Sequence, residues 1–490
     1  MAGPSGHDAS ERSAGAAATG TAAPFQRDDN TGFFSRDRLI PIVIASALFM
    51  DLMDTASLAL ALPTIAGDFG ISTTDLRLVL TVYAITVAAL VPASGWIADC
   101  LGARRVFVGA MIVFVIGSVL CGMAQDLTQL VFSRILQGTG GAMMTPVGRA
   151  IMVGSVNRHS MVRAMAWYTL PAILAPLLGP PLAGTFIELA SWRWIFFVNV
   201  PVSLLGIAAV MRFVPKTPPL PRRNLDVVGF LLCGATILAV LGIVETGGLS
   251  GQPLTIRILG GCGAIVLLFA YVLQALKAKA PLIDLRVLRH KSLSVGLAAG
   301  GLQRIGIGAI TIVLPMHLQV ALGLSPLVAS QVPAVGAVGS ILSRFACPFG
   351  LRLMGFRPLM IGAALVLAVA TLIPVSFGKT TPVIAMAAFL ACYALVRATF
   401  FMSANSLSYA DVESVEISNA SVLFSISQQL TLGLGYTLGG GLVAVAGGAK
   451  HLGAYAIAYP AIALLPLAAA LIVAWLPQGV GDTMRQKAAP

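Results

Sequence analysis

Along this chain, apolar runs of about twenty residues alternate with short polar breaks, and the alternation continues almost to the C-terminal end. A helix rises about 1.5 Å per residue, so such a run covers the roughly 30 Å hydrocarbon core of a bilayer. Barrel strands would alternate in polarity over about ten residues, and these runs do not alternate. Backbone polar groups in lipid must be satisfied inside the segment, so the pattern predicts membrane-spanning helices. They fall near residues 38–62, 76–98, 105–124, 128–150, 162–187, 193–213, 226–246, 255–276, 292–321, 326–350, 356–378, 382–407, 418–447 and 452–476. Fourteen spans result, and an even number places both termini on one side.

Composition agrees with that reading. Of 490 residues, 57% are hydrophobic and 10% charged, where a soluble chain carries about 25% charged. The net charge of +12 does not indicate a nucleic-acid partner, because the basic residues sit in short inter-helix loops. Twenty-two of the 31 Lys and Arg flank one side of the predicted spans, five (Arg77, Arg193, Arg257, Lys379, Lys450) the other, and four lie inside spans. By the positive-inside rule both termini are expected in the cytoplasm of an inner membrane. Residues 1–37, rich in Gly, Ala, Ser and Thr, read as a disordered cytoplasmic tail with no cleavable signal peptide, and residues 477–490 as a second tail. Six cysteines form no CxxC pair, five of them lie in spans, and they read as packing residues.

A weak repeat organises the spans. GWIADCLGARR joins the second and third, GLRLMGFRP the tenth and eleventh, and aligning Gly102 with Gly355 sets Arg105 beside Arg357. The expected division is an N-terminal six-helix half over 38–213, two inserted helices within 214–291, and a C-terminal six-helix half over 292–476. The fold class is therefore an all-α polytopic membrane protein.

The first of these loops, with Gly95, Asp99, Gly102, Arg104 and Arg105, resembles the signature between helices 2 and 3 of the major facilitator superfamily. RILQGTGGA from Arg134, APLLGPPLAG with Gly179, Pro180, Pro181 and Gly184, SWRWIFFVNVP, and MDTASLALALP in helix 1 are similar to motifs of its fourteen-span drug:proton antiporter family. RIGIGAI, NSLSYAD and SQQL in the second half look like one subgroup of that family, and the resemblance covers roughly residues 38–475. Two positions depart from it: Cys100 stands where a basic residue is usual, and helix 1 lacks the common Asn near Ala59. The resemblance implies a multidrug-type efflux permease with a gating role for the first loop, a coupling role for Arg134 and an antiporter motif in helix 5.

The residues themselves carry chemistry. An ionisable side chain at the bilayer centre costs about 2.5–3.5 kcal/mol on insertion scales, yet helix 1 holds Asp51 and Asp54 at i,i+3 on one face. Such a pair can hold and release a proton, or serve as a structural polar cluster, and Asp54 is the expected principal coupling group. Counting from the outer helix ends puts Asp54 and Arg134 within about 3 Å of the same depth, so they are expected to pair. Asp99, Arg104 and Arg105 around Gly102 are expected to pair with one another and with neighbouring helix ends. The Gly-Pro-Pro of helix 5, with Pro171 and Pro176, predicts a bendable helix between the halves. Arg304 and Arg397 either bind an anionic group or hydrogen-bond carbonyls. Gln137, Asn405 and Gln428 are milder cavity candidates or interhelical hydrogen-bonders. GLGYTLG mimics a dinucleotide loop but sits in an apolar span, where Gly435 and Gly439 predict close helix packing.

The favoured function is proton-coupled export of small amphiphiles. The alternative is a facilitator, or an exporter of a specific organic acid or metabolite, on the same fold. An intramembrane enzyme finds no HExxH, P-loop or Ser/His/Asp set, and no cofactor or metal is called for. Expected partners are a small-molecule substrate, protons and lipid; the chain is taken as monomeric, with room for a periplasmic adaptor.

Overall fold

The computed structural model describes residues 36–155, 161–216, 226–248, 254–278, 285–412 and 416–476. The two expected tails therefore lie outside the described residues, apart from Arg36 and Asp37, and so does a part of the connections around the inserted helices. Fourteen long helices follow in chain order: α1 Arg36–Phe69, α2 Leu78–Leu101, α3 Ala103–Met123, α4 Leu127–Ser155, α5 Met161–Leu189, α6 Asn199–Phe213 and α7 Val227–Gly248. The rest are α8 Leu254–Lys277, α9 Lys291–Pro315, α10 Pro326–Met354, α11 Phe356–Ala370, α12 Val383–Ser408, α13 Ile417–Val445 and α14 Leu452–Ala474. Among the described residues, nine helical segments are each long and apolar enough to cross a membrane.

Most ends match the predicted ones closely, but α1 runs two turns beyond Leu62, through Pro63 to Phe69. Asp54 is therefore much deeper from that end than the counted depth supposed. The extension carries Asp68, which accepts from Trp192 Nε1 at 2.9 Å and Arg193 Nη1 at 3.1 Å. Arg193 also stacks on Trp192 and donates to the Ala124 carbonyl at 3.2 Å. The SWRW segment thus clasps the ends of α1 and α3.

The repeat has a geometric counterpart. Gly102 alone separates α2 from α3, and Gly355 alone separates α10 from α11, with φ of 88° and 80°. Only glycine takes that left-handed conformation without steric cost, so both turns need it.

α1 packs on α4, α5 and α6, while α3 and α4 lie against each other; in the second half α12 packs on α10 and α11, and α9 on α13 and α14. α7 and α8 pack on each other, with α7 also touching α2 and α13. The halves meet where α5 lies on α10, α2 on α13, and α1 on α9. Several of these seams sit at the end of the bundle that carries Asp68. There Gln319 Nε2 donates to the Leu60 carbonyl at 2.8 Å, and the Thr81 and Thr437 hydroxyls approach to 3.5 Å. Gln319 stands in a π-helical turn, Met316–Ala321, that continues α9. Arg77, expected as a loop charge at this end, is buried at 2% exposure, hydrogen-bonds Thr74 O at 2.9 Å and lies against Gly440 of α13. One buried cluster joins both halves here, with Leu58, Leu62 and Leu76 beside Ile312, Met316 and Tyr436.

Near the opposite end, where Arg105 lies, the second half has its own clasp. Arg289 Nη2 and His290 Nε2 donate to the Glu416 carboxylate at 2.9 and 2.7 Å, tying the turn before α9 to the start of α13. The His290 hydrogen bond, with Arg289 beside it, holds the Glu416 carboxyl below its ordinary value of 4.5. A depressed carboxyl contributes above its unfolded value and loses its contribution as pH falls through the folded one. Hydrogen exchange over Leu285–Arg289 is therefore expected to speed up in Glu416→Gln at neutral pH, and the difference from wild type to vanish well below pH 4.5. A difference independent of pH would assign the effect to packing instead.

Candidate functional site

Asp54, Arg134, Gln137, Asn199 and Ser118 are each fully buried, and they converge from α1, α4, α6 and α3. Buried charge is costly unless paired and hydrogen-bonded, and here every member is held by others. Arg134 Nη1 forms an ion pair with Asp54 Oδ2 and donates to Gln137 Oε1 at 2.6 Å. Asp54 Oδ1 accepts from Gln137 Nε2 and Asn199 Nδ2, both at 3.0 Å. Ser118 Oγ accepts from Asn199 Nδ2 at 3.0 Å and donates to the Phe196 carbonyl at 3.0 Å. Two atoms stay unsatisfied among the described residues, Arg134 Nη2 and Asn199 Oδ1.

The helices approach closely enough for this because glycines face the contacts: Gly117 of α3 lies against Gln137, and Gly140 of α4 against Ala110 and Phe114. A Cβ on Gly140 would stand 2.6 Å from the Ala110 oxygen, so a side chain there would force α3 and α4 apart.

Tyr83 of α2 connects the knot to the second carboxyl. Its ring lies 4.3 Å from the Arg134 guanidinium carbon, a cation–π contact, and its hydroxyl donates to Asp51 Oδ1. Asp51 is half-buried, whereas Asp54 is inaccessible. The two acids are therefore unlike: Asp54 has a cation and two amides, while Asp51 has the phenol hydroxyl of Tyr83.

The expected Asp54–Arg134 contact is made, although the depth count behind it misjudged the end of α1. Of the two readings offered for Gln137 the structure shows the interhelical hydrogen-bonder: its amide is consumed inside the knot, because Gly117 lets α3 close over it. Tyr83, Ser118 and Asn199 were missed from the sequence. Asn199 lies in the quoted SWRWIFFVNVP motif, and its signal was a lone amide within an apolar run.

In the loop around Gly102, the pairing expected among Asp99, Arg104 and Arg105 is not made, whereas the expected contact with a neighbouring helix end is. Among the described residues no ion pair joins Asp99 to Arg104 or Arg105. Arg104 instead donates to the Met211 carbonyl in the last turn of α6. Carbonyls at a helix C-terminus lack intrahelical partners and carry the negative end of the dipole, which suits a guanidinium. Gly95, Asp99 and Arg105 are exposed.

In α5, the Gly179 carbonyl accepts from Ser57 Oγ of α1 at 3.1 Å, and Pro180 is buried beside half-buried Pro181. Gly184 faces Leu327 and Ser330 of α10, so this motif spans from the first half to the second. The side chains of Pro171 and Pro176 lie outside the described ones. Gly435 and Gly439 abut Ala309 of α9, the close helix packing expected of GLGYTLG. Of the cysteines, Cys121, Cys233 and Cys347 are buried as expected, but Cys262 and Cys392 are exposed on the helix bundle.

In the second half, Arg304, Asn405 and Gln428 line one small cleft with Phe401, Phe424 and Thr431. Arg397 of α12 is half-buried and outside that cleft.

Residues 44–435 match the model of the Major Facilitator Superfamily. A protein of Salmonella typhimurium strain LT2 named "Putative multidrug resistance protein MdtD" is 35% identical over 415 residues, covering 84% of this chain and 87% of the relative. Among solved structures, the fold resembles a peptide transporter POT in complex with sulfate (TM-score 0.68, 15% identity, 92% of this chain and 96% of that one). It also resembles the nucleoside transporter NupG (TM-score 0.62, 11% identity, 90% of this chain and 99% of that one). At such identities these two likenesses speak for the fold alone.

Proposed function

The chain belongs to the Major Facilitator Superfamily, and from that premise we propose that it exports small amphiphilic molecules in exchange for protons by alternating access. Membership makes it a multi-pass membrane transporter of small molecules and not an enzyme. The name of the Salmonella relative supports efflux of drug-like compounds.

The observation that carries proton coupling is the unlike pair of acids on α1. Half-buried Asp51 meets the hydroxyl of Tyr83, whose ring lies on Arg134, and Arg134 is bonded to buried Asp54. A proton reaching Asp51 removes the charge that orients the Tyr83 hydroxyl, and Tyr83 passes that change to the knot binding α1, α3, α4 and α6. Residues 38–213 and 292–476 act as the two moving halves, with 214–291 as the insert. The α5–α10 seam through Gly184 is where they part. The Gly102 loop, through Arg104 on α6, and the antiporter motif Gly179 to Gly184 serve as gate and hinge.

Uptake into inside-out vesicles with and without an imposed pH gradient tests the reading. Substrate accumulation should require the gradient, and equal rates without it would make the protein a facilitator.

We further place both termini, and the Arg105 end of the bundle, in the cytoplasm. In a cysteine-free background, a cysteine at Arg289 should resist an impermeant thiol reagent in intact cells while one at Lys450 is labelled. The opposite pattern would invert the topology.

A further inference from the structure

The second half differs from the first in the sign of its buried charge. Spans α9 to α14 carry Arg304, Arg344 and Arg397 at mid-helix and no Asp or Glu. Arg344 is exposed on the surface of α10, whereas Arg304 and Arg397 are half-buried and within electrostatic reach of each other. A cation withdrawn from water without an opposite charge is unfavourable by several kcal/mol, so this half is electrostatically incomplete by itself.

Arg304 is held as a recognition group would be. Its Nε donates to the Gln428 carbonyl at 3.1 Å, and its guanidinium carbon lies 5.3 Å from the Phe401 ring centre. These contacts fix the plane of the guanidinium and leave both Nη groups without a hydrogen-bond partner among the described residues. The side-chain amides of Asn405 and Gln428, in the same cleft, are likewise unbonded among the described residues. The free volume there is about 10 Å³, room for one water-sized group. The cleft therefore admits a single head-group oxygen, and neither a whole head group nor an amphiphile. A planar fork of guanidinium donors flanked by amide donors matches the oxygens of a carboxylate or sulfonate.

We propose that this cleft is an anion subsite, in which Arg304 receives one oxygen of the carboxylate or sulfonate head of an amphiphilic substrate. Asn405 and Gln428 donate to the remaining lone pairs of that oxygen, Phe401 and Phe424 flank it, and the rest of the head and the apolar tail extend out of the cleft. Arg397 adds positive potential from outside. The subsite presupposes the transport reading above, but binding needs no gradient, so the two fail separately.

The test is fluorescence anisotropy on the full-length protein in nanodiscs, with empty nanodiscs measuring partition into lipid. The probes are a dansyl-labelled undecanoate and a trimethylammonium analogue of the same chain length. Wild type should bind the carboxylate more tightly than the cation. Arg304→Gln should weaken the carboxylate about tenfold or more, the scale of a lost charge-assisted hydrogen bond, and leave the cation unchanged or tighter. Arg304→Lys should retain part of the affinity. Arg397→Gln should stay within about threefold, since it removes a long-range charge and no contact. Should Arg304→Gln fail to fold, Asn405→Ala and Gln428→Ala read the same selectivity. The proposal is overturned by a wild type that prefers the cation, by equal losses for both probes, or by an Arg397→Gln loss as large as that of Arg304→Gln.

Discussion

Asp51→Asn is expected to abolish pH-gradient-driven transport while leaving the folded protein and gradient-free substrate exchange intact. The asparagine is nearly isosteric and its carbonyl can still accept from Tyr83, so packing on α2 persists, yet no proton can be taken up. Asp51 is the acid we propose for this role because it is half-buried and its hydrogen-bond partner is a neutral hydroxyl. From sequence alone the principal role fell to Asp54. In the folded chain Asp54 is sealed from solvent and its charge is already matched by Arg134. Substrate-driven proton loss from the weakly buffered lumen of inside-out vesicles, read with a pH-sensitive dye, measures the effect. Wild-type proton movement in Asp51→Asn would remove the proposed proton site.

The largest loss of stability should come from splitting the buried pair. Asp54→Asn leaves the Arg134 guanidinium without a counter-charge at zero exposure, and Arg134→Gln strands Asp54 in the same place. Breaking a buried ion pair by removing one partner costs about 3–5 kcal/mol. The double variant Asp54→Asn/Arg134→Gln should lose less than the sum, since no isolated charge remains. With Cys100, Cys262 and Cys392 replaced by serine, buried Cys121, Cys233 and Cys347 make the measurement direct, because a thiol-reactive dye reaches them only as the bundle opens. Melting curves in detergent should show both single variants well below wild type and the double variant above the additive expectation. If both single variants melt like wild type, the pair is not holding the helices together. Transport by Asp54→Asn should be judged only on protein that remains folded.

Much of this was legible in the residues because its causes are local. Apolar runs of about twenty residues located fourteen helices, and the lone glycines at 102 and 355 marked two equivalent turns that require positive φ. The acids of α1 and Arg134 drew attention because ionisable groups are costly in a span. The end of α1 was misplaced because hydropathy weakens at Pro63 while the helix continues, its polar tip held by Trp192 and Arg193. Arg77 read as a loop charge because nothing in its neighbourhood announces that α13 passes over it.

What the chain determined by itself is thus the number of helices, their approximate ends, the two glycine turns and the charged groups within the spans. Each of these follows from helix length, hydropathy or backbone sterics acting over a few residues. What only the tertiary structure decided is which polar groups meet. Asp54 takes a hydrogen bond from Asn199, 145 residues away, and Ser57 donates to Gly179, 122 residues away. Hydropathy gives a helix its depth but not its neighbours or its rotation. Those are set by lateral packing, where a glycine such as Gly117 lets one helix close on another and so determines that Gln137 is sealed inside while Asp51 stays half-buried.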